Sequence, residues 1–133
     1  MTIAYLVDAD WAIHHLNGHP VITQRLQDLQ PEGLGLSVVA LAEIYEGVYY
    51  SRDPVESEQS LLAFLESVSL LGIDAETAKI FARERGRLRA AGMLIGDVDL
   101  FIAATAVQHN LTLLTNNRRH FERIDGLRME SAE

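Results

Sequence analysis

The sequence predicts an α/β fold, a three-layer α/β/α sandwich around a central parallel sheet. One observation behind this is a set of short apolar runs of strand length: Ile3 to Val7, Leu34 to Val38, Val68 to Ile73 and Leu111 to Thr115. Such runs suit strands buried on both faces. A second is that segments with helical apolar spacing separate them, and strands alternating with helices mean a parallel sheet covered on both sides. The third is length. A chain of 133 residues with no internal repeat, low-complexity tract or linker fits one domain, residues 1–133, with its own core.

The elements follow in order. Ile3 to Val7 is a strand ending at Asp8, and Asp10 is placed to cap a helix through about Leu16. Gly18-His19-Pro20 is a break. Val21, Ile22, Leu26 and Leu29 recur at helical spacing until Gln30-Pro31-Glu32-Gly33 ends the segment. Leu34 to Val38 reads as the second strand. Ser37 can begin or cap the next helix, which runs through about Tyr50 with Leu41, Ile44, Tyr45 and Val48 on one side. After the turn Ser51-Arg52-Asp53-Pro54, Val55 to about Ser67 is helical. Val68 to Ile73 is a third strand, and Asp74 caps a long helix from Ala75 to about Ala91 that Gly92 closes. Met93-Leu94-Ile95 is a short apolar segment. Asp97 to His109, rich in Ala and Leu, is a helix with Asn110 at its end. Leu111 to Thr115 is a fourth strand and Leu127-Arg128-Met129 a short last one. In such sheets ligands sit outside the carboxyl ends of the strands. Asp8 and Thr115-Asn116-Asn117 fall at two of those ends.

Composition excludes several kinds of chemistry. There are no cysteines, so disulfides, thiolate nucleophiles and Cys-based zinc sites are ruled out, and a reducing cytoplasm is compatible. The N-terminal run lacks the pattern of a signal peptide, and no apolar run approaches the roughly 18 residues that span a bilayer. No G-x-x-x-x-G-K-[ST] loop and no G-x-S-x-G elbow is present. A net charge of -8 argues against a generic nucleic-acid coat. The charge is unevenly spread: through Val68 the only basic residues are Arg25 and Arg52, and the rest, from Lys79 to Arg128, lie later. An acidic site beside a basic C-terminal half suits a metal-dependent enzyme acting on a polyanion, and it equally suits a solvated helix face with a basic tail.

Four clusters at the ends of apolar runs carry the chemistry. Asp8 and Asp10 follow the first strand, Glu43 sits early in a helix with Glu46 one turn on, Asp97 and Asp99 open another helix, and Thr115-Asn116-Asn117 closes a strand. Asp10 and one of Asp97 and Asp99 are each explained by capping or by the helix dipole. Asp8 is harder to explain so, because an unpaired charge at the end of a buried strand is costly. Carboxylates held together repel unless a cation sits between them. The economical reading is a site for a divalent metal that prefers oxygen ligands, Mg²⁺ or Mn²⁺. His14, His15, His19, His109 and His120 show no paired ligand spacing and read as structural or surface. Arg83 with Arg87, and Arg85 with Arg89, are spaced to contact phosphates or to pair with helix acids such as Glu84.

These motifs resemble the PIN domain, and within it the VapC-type toxins of toxin–antitoxin pairs. The likeness covers nearly the whole chain. Tyr5-Leu6-Val7-Asp8 looks like the family's first strand and aspartate, and Ser37 to Gly47 like the segment carrying its catalytic glutamate at Glu43. Asp99-Leu100-Phe101-Ile102-Ala103-Ala104 looks like the D-x-x-I-A-A helix start, and Leu113 to Asn117 with Phe121 like the final motif. The resemblance implies an endoribonuclease using Mg²⁺ or Mn²⁺ held by Asp8, Glu43 and Asp99. Asn117, Thr115 and, as auxiliary acids, Asp97 or Asp10 would orient ligands and waters. It also implies an RNA substrate, with Arg83, Arg87, Arg118 and Arg119 as RNA contacts, a homodimer, and a VapB-like antitoxin that blocks the site. In two places the chain departs from the family pattern. Asn117 stands where many members carry a fourth aspartate, and Asp10 where a small polar residue is usual.

Two other readings stay open at this level. Asp8-Ala9-Asp10 looks like the D-x-D motif of haloacid dehalogenase-like phosphatases, with Asp8 as nucleophile, Asp10 as acid, Ser37 as phosphate-binding hydroxyl and Lys79 as the amine. The other is a non-catalytic domain of the same fold that binds RNA or protein.

Overall fold

A computed structural model describes residues 2–132. Its elements are β1 (Tyr5–Val7), α1 (Ala9–Leu16), α2 (Pro20–Leu29), a 3-10 turn (Gln30–Glu32), β2 (Leu34–Ser37), α3 (Val38–Tyr49), α4 (Pro54–Leu65), β3 (Ser69–Leu71), α5 (Ala75–Ala90), α6 (Asp97–Gln108), β4 (Thr112–Leu114), α7 (Arg118–Phe121) and β5 (Arg128–Glu130). The strands form one sheet in the order β3-β2-β1-β4-β5, every pair parallel. Helices flank it, which is the predicted three-layer architecture.

Strand β1 is the centre. Val7 pairs with Leu36 of β2 on one side and Leu114 of β4 on the other. From β1 the chain winds outward through β2 and β3, then crosses back to place β4 and β5 on the opposite side. The gap above β1 and β4 is therefore the topological switch point, where connections leave in opposite directions and a crevice opens. The core lies beneath it. Leu6, Leu36, Leu113 and Leu114 from the strands are fully buried, as are Trp11, Ile22, Ile44, Leu61, Leu88, Leu100 and Ile102 from the helices.

Polar residues set the helix starts. Ser37 accepts from Val39 N and caps α3. Asp74 forms a capping box with Thr77 at α5. Asn110, at φ 57°, ends α6, and Gly92, at φ 68°, follows α5. Two expectations change. The cap of α1 is Asp8, not Asp10: the helix starts directly after β1, and Asp8 Oδ1 accepts from Ala9 N at 2.8 Å. Helix α7 was not foreseen, because four residues cannot display a helical period.

Gly33 controls the entry to β2. Its φ is 95°, and its carbonyl accepts from both Ala4 N and Tyr5 N at 3.0 and 3.1 Å. A Cβ there would collide with the backbone of Thr2 and Ile3. Gly33→Ala is expected to lose roughly 1–3 kcal/mol of unfolding free energy from backbone conformation alone. Equilibrium urea unfolding checks this, and an unchanged midpoint would show that the turn is not under this constraint.

Candidate active site

Asp8 ends the central strand at the mouth of the crevice and is only 4% exposed. Both its oxygens are engaged: Oδ1 accepts from Ala9 N, and Oδ2 from the Thr115 hydroxyl at 2.7 Å. Thr115 is itself fully buried, at the carboxyl end of β4. Parallel pairing of β1 with β4 brings the two residues together. Despite these donors, the Asp8 pKa is pushed up from 3.8 to about 7, first by burial, then by Asp10, with a smaller push from Asp99.

The other acids come from three different elements. Asp99 lies in the first turn of α6, where the helix dipole favours it. Its Oδ2 is 3.1 Å from His120 Nδ1 and 3.4 Å from Asn117 Nδ2. Glu43, two turns into α3, is exposed as a residue. Its carboxyl nevertheless has a raised pKa, from partial desolvation first and then from Asp99, Glu46 and Asp10. Asp10 reaches back from α1, and its Oδ2 accepts from Asn116 N at 2.9 Å. Asp8, Asp10, Glu43 and Asp99 thus share one electrostatic neighbourhood at the switch point.

Other predicted residues lie outside it. Asp97 is exposed and pairs with Arg85 at 3.2 Å. Arg87 is tied up, with two bonds to Glu84 and one to the Arg123 carbonyl. Arg118 reaches Ser131 Oγ, while Arg83 and Arg119 have no ion-pair partner among the described residues. The phosphatase arrangement is not assembled: the Ser37 hydroxyl is buried as a helix cap, and Lys79 is exposed on α5.

Two polar residues at the crevice escaped the sequence reading. His120 was grouped with the surface histidines, although it stands three residues after Asn117 and meets Asp99. Asn116 was read only as part of the Thr115-Asn116-Asn117 cluster, with no role of its own. Its Oδ1 accepts from Trp11 Nε1 and Ala132 N, at 2.9 and 2.8 Å, and its backbone holds Asp10. The buried tryptophan was the available signal, since an indole N–H in a core needs an acceptor.

The model of the PIN domain family matches residues 5–127. This chain belongs to the PIN-domain family. Within that family it is similar to Ribonuclease VapC2 of Rickettsia felis, 30% identical over 129 residues that cover 96% of each chain. It is also similar to Ribonuclease VapC1 of Methanocaldococcus jannaschii, 36% identical over 101 residues, 76% of this chain and 70% of the relative. Its fold is similar to a chain in the crystal structure of VapBC2 from Rickettsia felis bound to a DNA fragment from their promoter. That match has a TM-score of 0.92 and 28% identity and covers 98% of this chain and 100% of the other. The likeness read from the four motifs is borne out.

The donor set fits a hard divalent cation: all its donors are oxygens, and burial and mutual repulsion leave Asp8 short of positive charge. Among the described residues, no three Asp, Glu or His side chains stand close enough as placed to clasp an ion, so binding requires side-chain adjustment. The pKa of Asp8 has a measurable consequence without metal. Between pH of about 4 and about 7 the folded chain retains a proton the unfolded chain has lost, so stability falls as pH rises through that window. Asp8→Asn removes the charge and keeps one acceptor, while its amide nitrogen would donate to the Thr115 hydroxyl, which can turn to accept. At pH 8 without metal it should melt several degrees above the parent, on the order of 2 kcal/mol. The gap should close near pH 4 and narrow when Mg²⁺ is added. A variant melting below the parent at pH 8 would show that Asp8 is not destabilised by its charge.

Proposed function

We propose that this protein is the toxin of a VapBC-type toxin–antitoxin pair, an endoribonuclease that uses Mg²⁺ or Mn²⁺ to hydrolyse RNA phosphodiester bonds in the cytoplasm. The observation that carries the reading is the convergence of Asp8, Asp10, Glu43 and Asp99 at the switch point of a PIN-domain sheet. Residues 1–133 act as one nuclease domain.

Asp8, Glu43 and Asp99 would hold the cation, which would supply acidification of a water and a counter-charge for the scissile phosphate. Thr115 and Asn117 hold Asp8 and Asp99 in place through their hydrogen bonds. Asp10, fixed by Asn116, adds negative charge beside Asp8 without needing to be a ligand. Asp97 serves the surface through Arg85. Of the four arginines assigned to RNA, Arg83, Arg118 and Arg119 are available to phosphates, and Arg87 supports the fold. The exposed apolar side chains Tyr49, Tyr50, Val55 and Leu62 fit a chain that spends its life covered, by a second copy and by a VapB-like antitoxin.

The test is cleavage of total cellular RNA by purified protein with Mn²⁺ or Mg²⁺, beside EDTA. Discrete fragments should form, stop with EDTA, and fall more than about 100-fold in rate for Glu43→Gln. Equal cleavage by parent and Glu43→Gln would overturn the site. Loss on Lys79→Ala with Glu43→Gln active would favour the phosphatase arrangement, and RNA binding without turnover the non-catalytic one. The arginines separate by a different measurement. Arg119→Ala should raise KM for RNA and flatten its salt dependence with melting unchanged, whereas Arg87→Ala should lower the melting temperature. The reverse pattern would invert these roles.

A further inference from the structure

Among the described residues, His120 is the one histidine whose ring meets a carboxylate of the crevice. Three polar atoms form a triangle there. His120 Nδ1 is 3.1 Å from Asp99 Oδ2 and 3.1 Å from Asn117 Nδ2, and Asn117 Nδ2 is 3.4 Å from the same Oδ2. Proton placement decides how the triangle holds together. With a bare Nδ1, its lone pair would face a carboxylate oxygen at 3.1 Å. With the Asn117 amide turned over, its carbonyl oxygen would face that carboxylate instead. A proton on Nδ1 and the amide N–H of Asn117 both directed at Oδ2 leaves no two lone pairs opposed.

We propose that His120 is a positioning residue: with Asn117 it pins Asp99 Oδ2, leaving Oδ1 as the oxygen offered to the divalent cation. Asp99 Oδ1 has no hydrogen-bond partner among the described residues. The ring is well placed for this task. Its neighbour Phe121 is fully buried and anchors the short helix α7, so the backbone carrying His120 is fixed although the ring itself is 43% exposed. A carboxylate 24% exposed at a helix start would otherwise lose rotamer freedom on binding the ion, and two preset donors lower that cost.

This inference rests on reading Asp8, Glu43 and Asp99 as the metal site, and the experiment separates the two. Mn²⁺ affinity is measured from the electron paramagnetic resonance of the free ion, for the full chain and for His120→Ala, His120→Gln, His120→Asn and Asp99→Asn. Thermal melts are recorded alongside without metal. An asparagine amide can sit where Nδ1 sits, whereas a glutamine amide lies further out. Binding should weaken about 10-fold or more in His120→Ala and His120→Gln and stay near the parent in His120→Asn. Unchanged binding in every His120 variant, with Asp99→Asn weak, overturns the role of His120 alone. Equal loss in all three His120 variants also overturns it, since that marks a structural effect. Equal binding by the parent and Asp99→Asn, or no binding by the parent, overturns the metal site and this inference with it.

Discussion

The buried carboxylate of Asp8 at the end of the central strand is the constraint on which the rest of the site depends. A charge at 4% exposure is unfavourable unless hydrogen bonds or a counter-ion offset it. Two donors are built around it, and both are consequences of topology. Ala9 N is available because α1 starts with no intervening residue, so an unsatisfied helix N–H points back at the strand end. The Thr115 hydroxyl is available because β4 lies beside β1 on the side opposite β2. The crossover that creates the crevice is thus the same feature that makes the aspartate tolerable. What the donors do not offset is the cost of burial together with the field of Asp10 and Asp99, and that remainder is what a cation would satisfy.

The arginines resolve how so acidic a chain can face a polyanion. Four of its ten guanidinium groups are spent on tying the fold together. Arg25 clamps Glu130 with two bonds, tying α2 to the edge strand β5. Arg123 holds the carbonyls of Met93 and Leu94, closing the loop before α6. Arg128 grips Asn110 at the end of that helix. Arg87 joins α5 to the Arg123 carbonyl. The net charge of -8 therefore understates local contrast rather than describing it. Within a Debye length of about 8 Å, a few unpaired arginines set the potential an incoming phosphate feels, and distant acids are screened.

Most of the sheet was legible in the sequence because β1 to β4 lie in short apolar runs bounded by turn residues, and the caps Ser37 and Asp74 stand where helices begin. Strand order was not legible: no local pattern says that β4 inserts beside β1. Asp8, Glu43 and Asp99 were legible as chemistry because acids at the ends of apolar runs are conspicuous. Asp97 looked equivalent to Asp99 at the same helix start. Two residues along a helix turn the side chain by about 200°, so one acid faces the crevice and the other Arg85. Asp10 was mistaken for the cap because cap and first-turn acids use the same residue type. The pairing of Arg87 with Glu84, three residues away, was one of the two readings its spacing allowed, whereas its contacts with Arg123 and Asp125, 36 and more positions away, have no local signal.

The substitution pattern around Asn117 makes physical sense as a unit. An aspartate at that position could only accept, and beside Asp99 it would add repulsion. Asparagine donates to Asp99 Oδ2 instead, and it is backed by His120 on the same oxygen. Asp10 places a negative charge beside Asp8, where Asn116 N and Trp11 N hold its two oxygens. Adjacent asparagines thus do opposite jobs: Asn116 supports an acid through its backbone, and Asn117 another through its side chain. Asp10 stands on the Asp8 side of the crevice, and Asp8 has the raised pKa that burial begins and Asp10 reinforces. Under the proposed metal reading, a cation would meet a strong field at Asp8 and, at Asp99, a carboxylate with one oxygen already held by Asn117 and His120, which would divide attraction from orientation between the two.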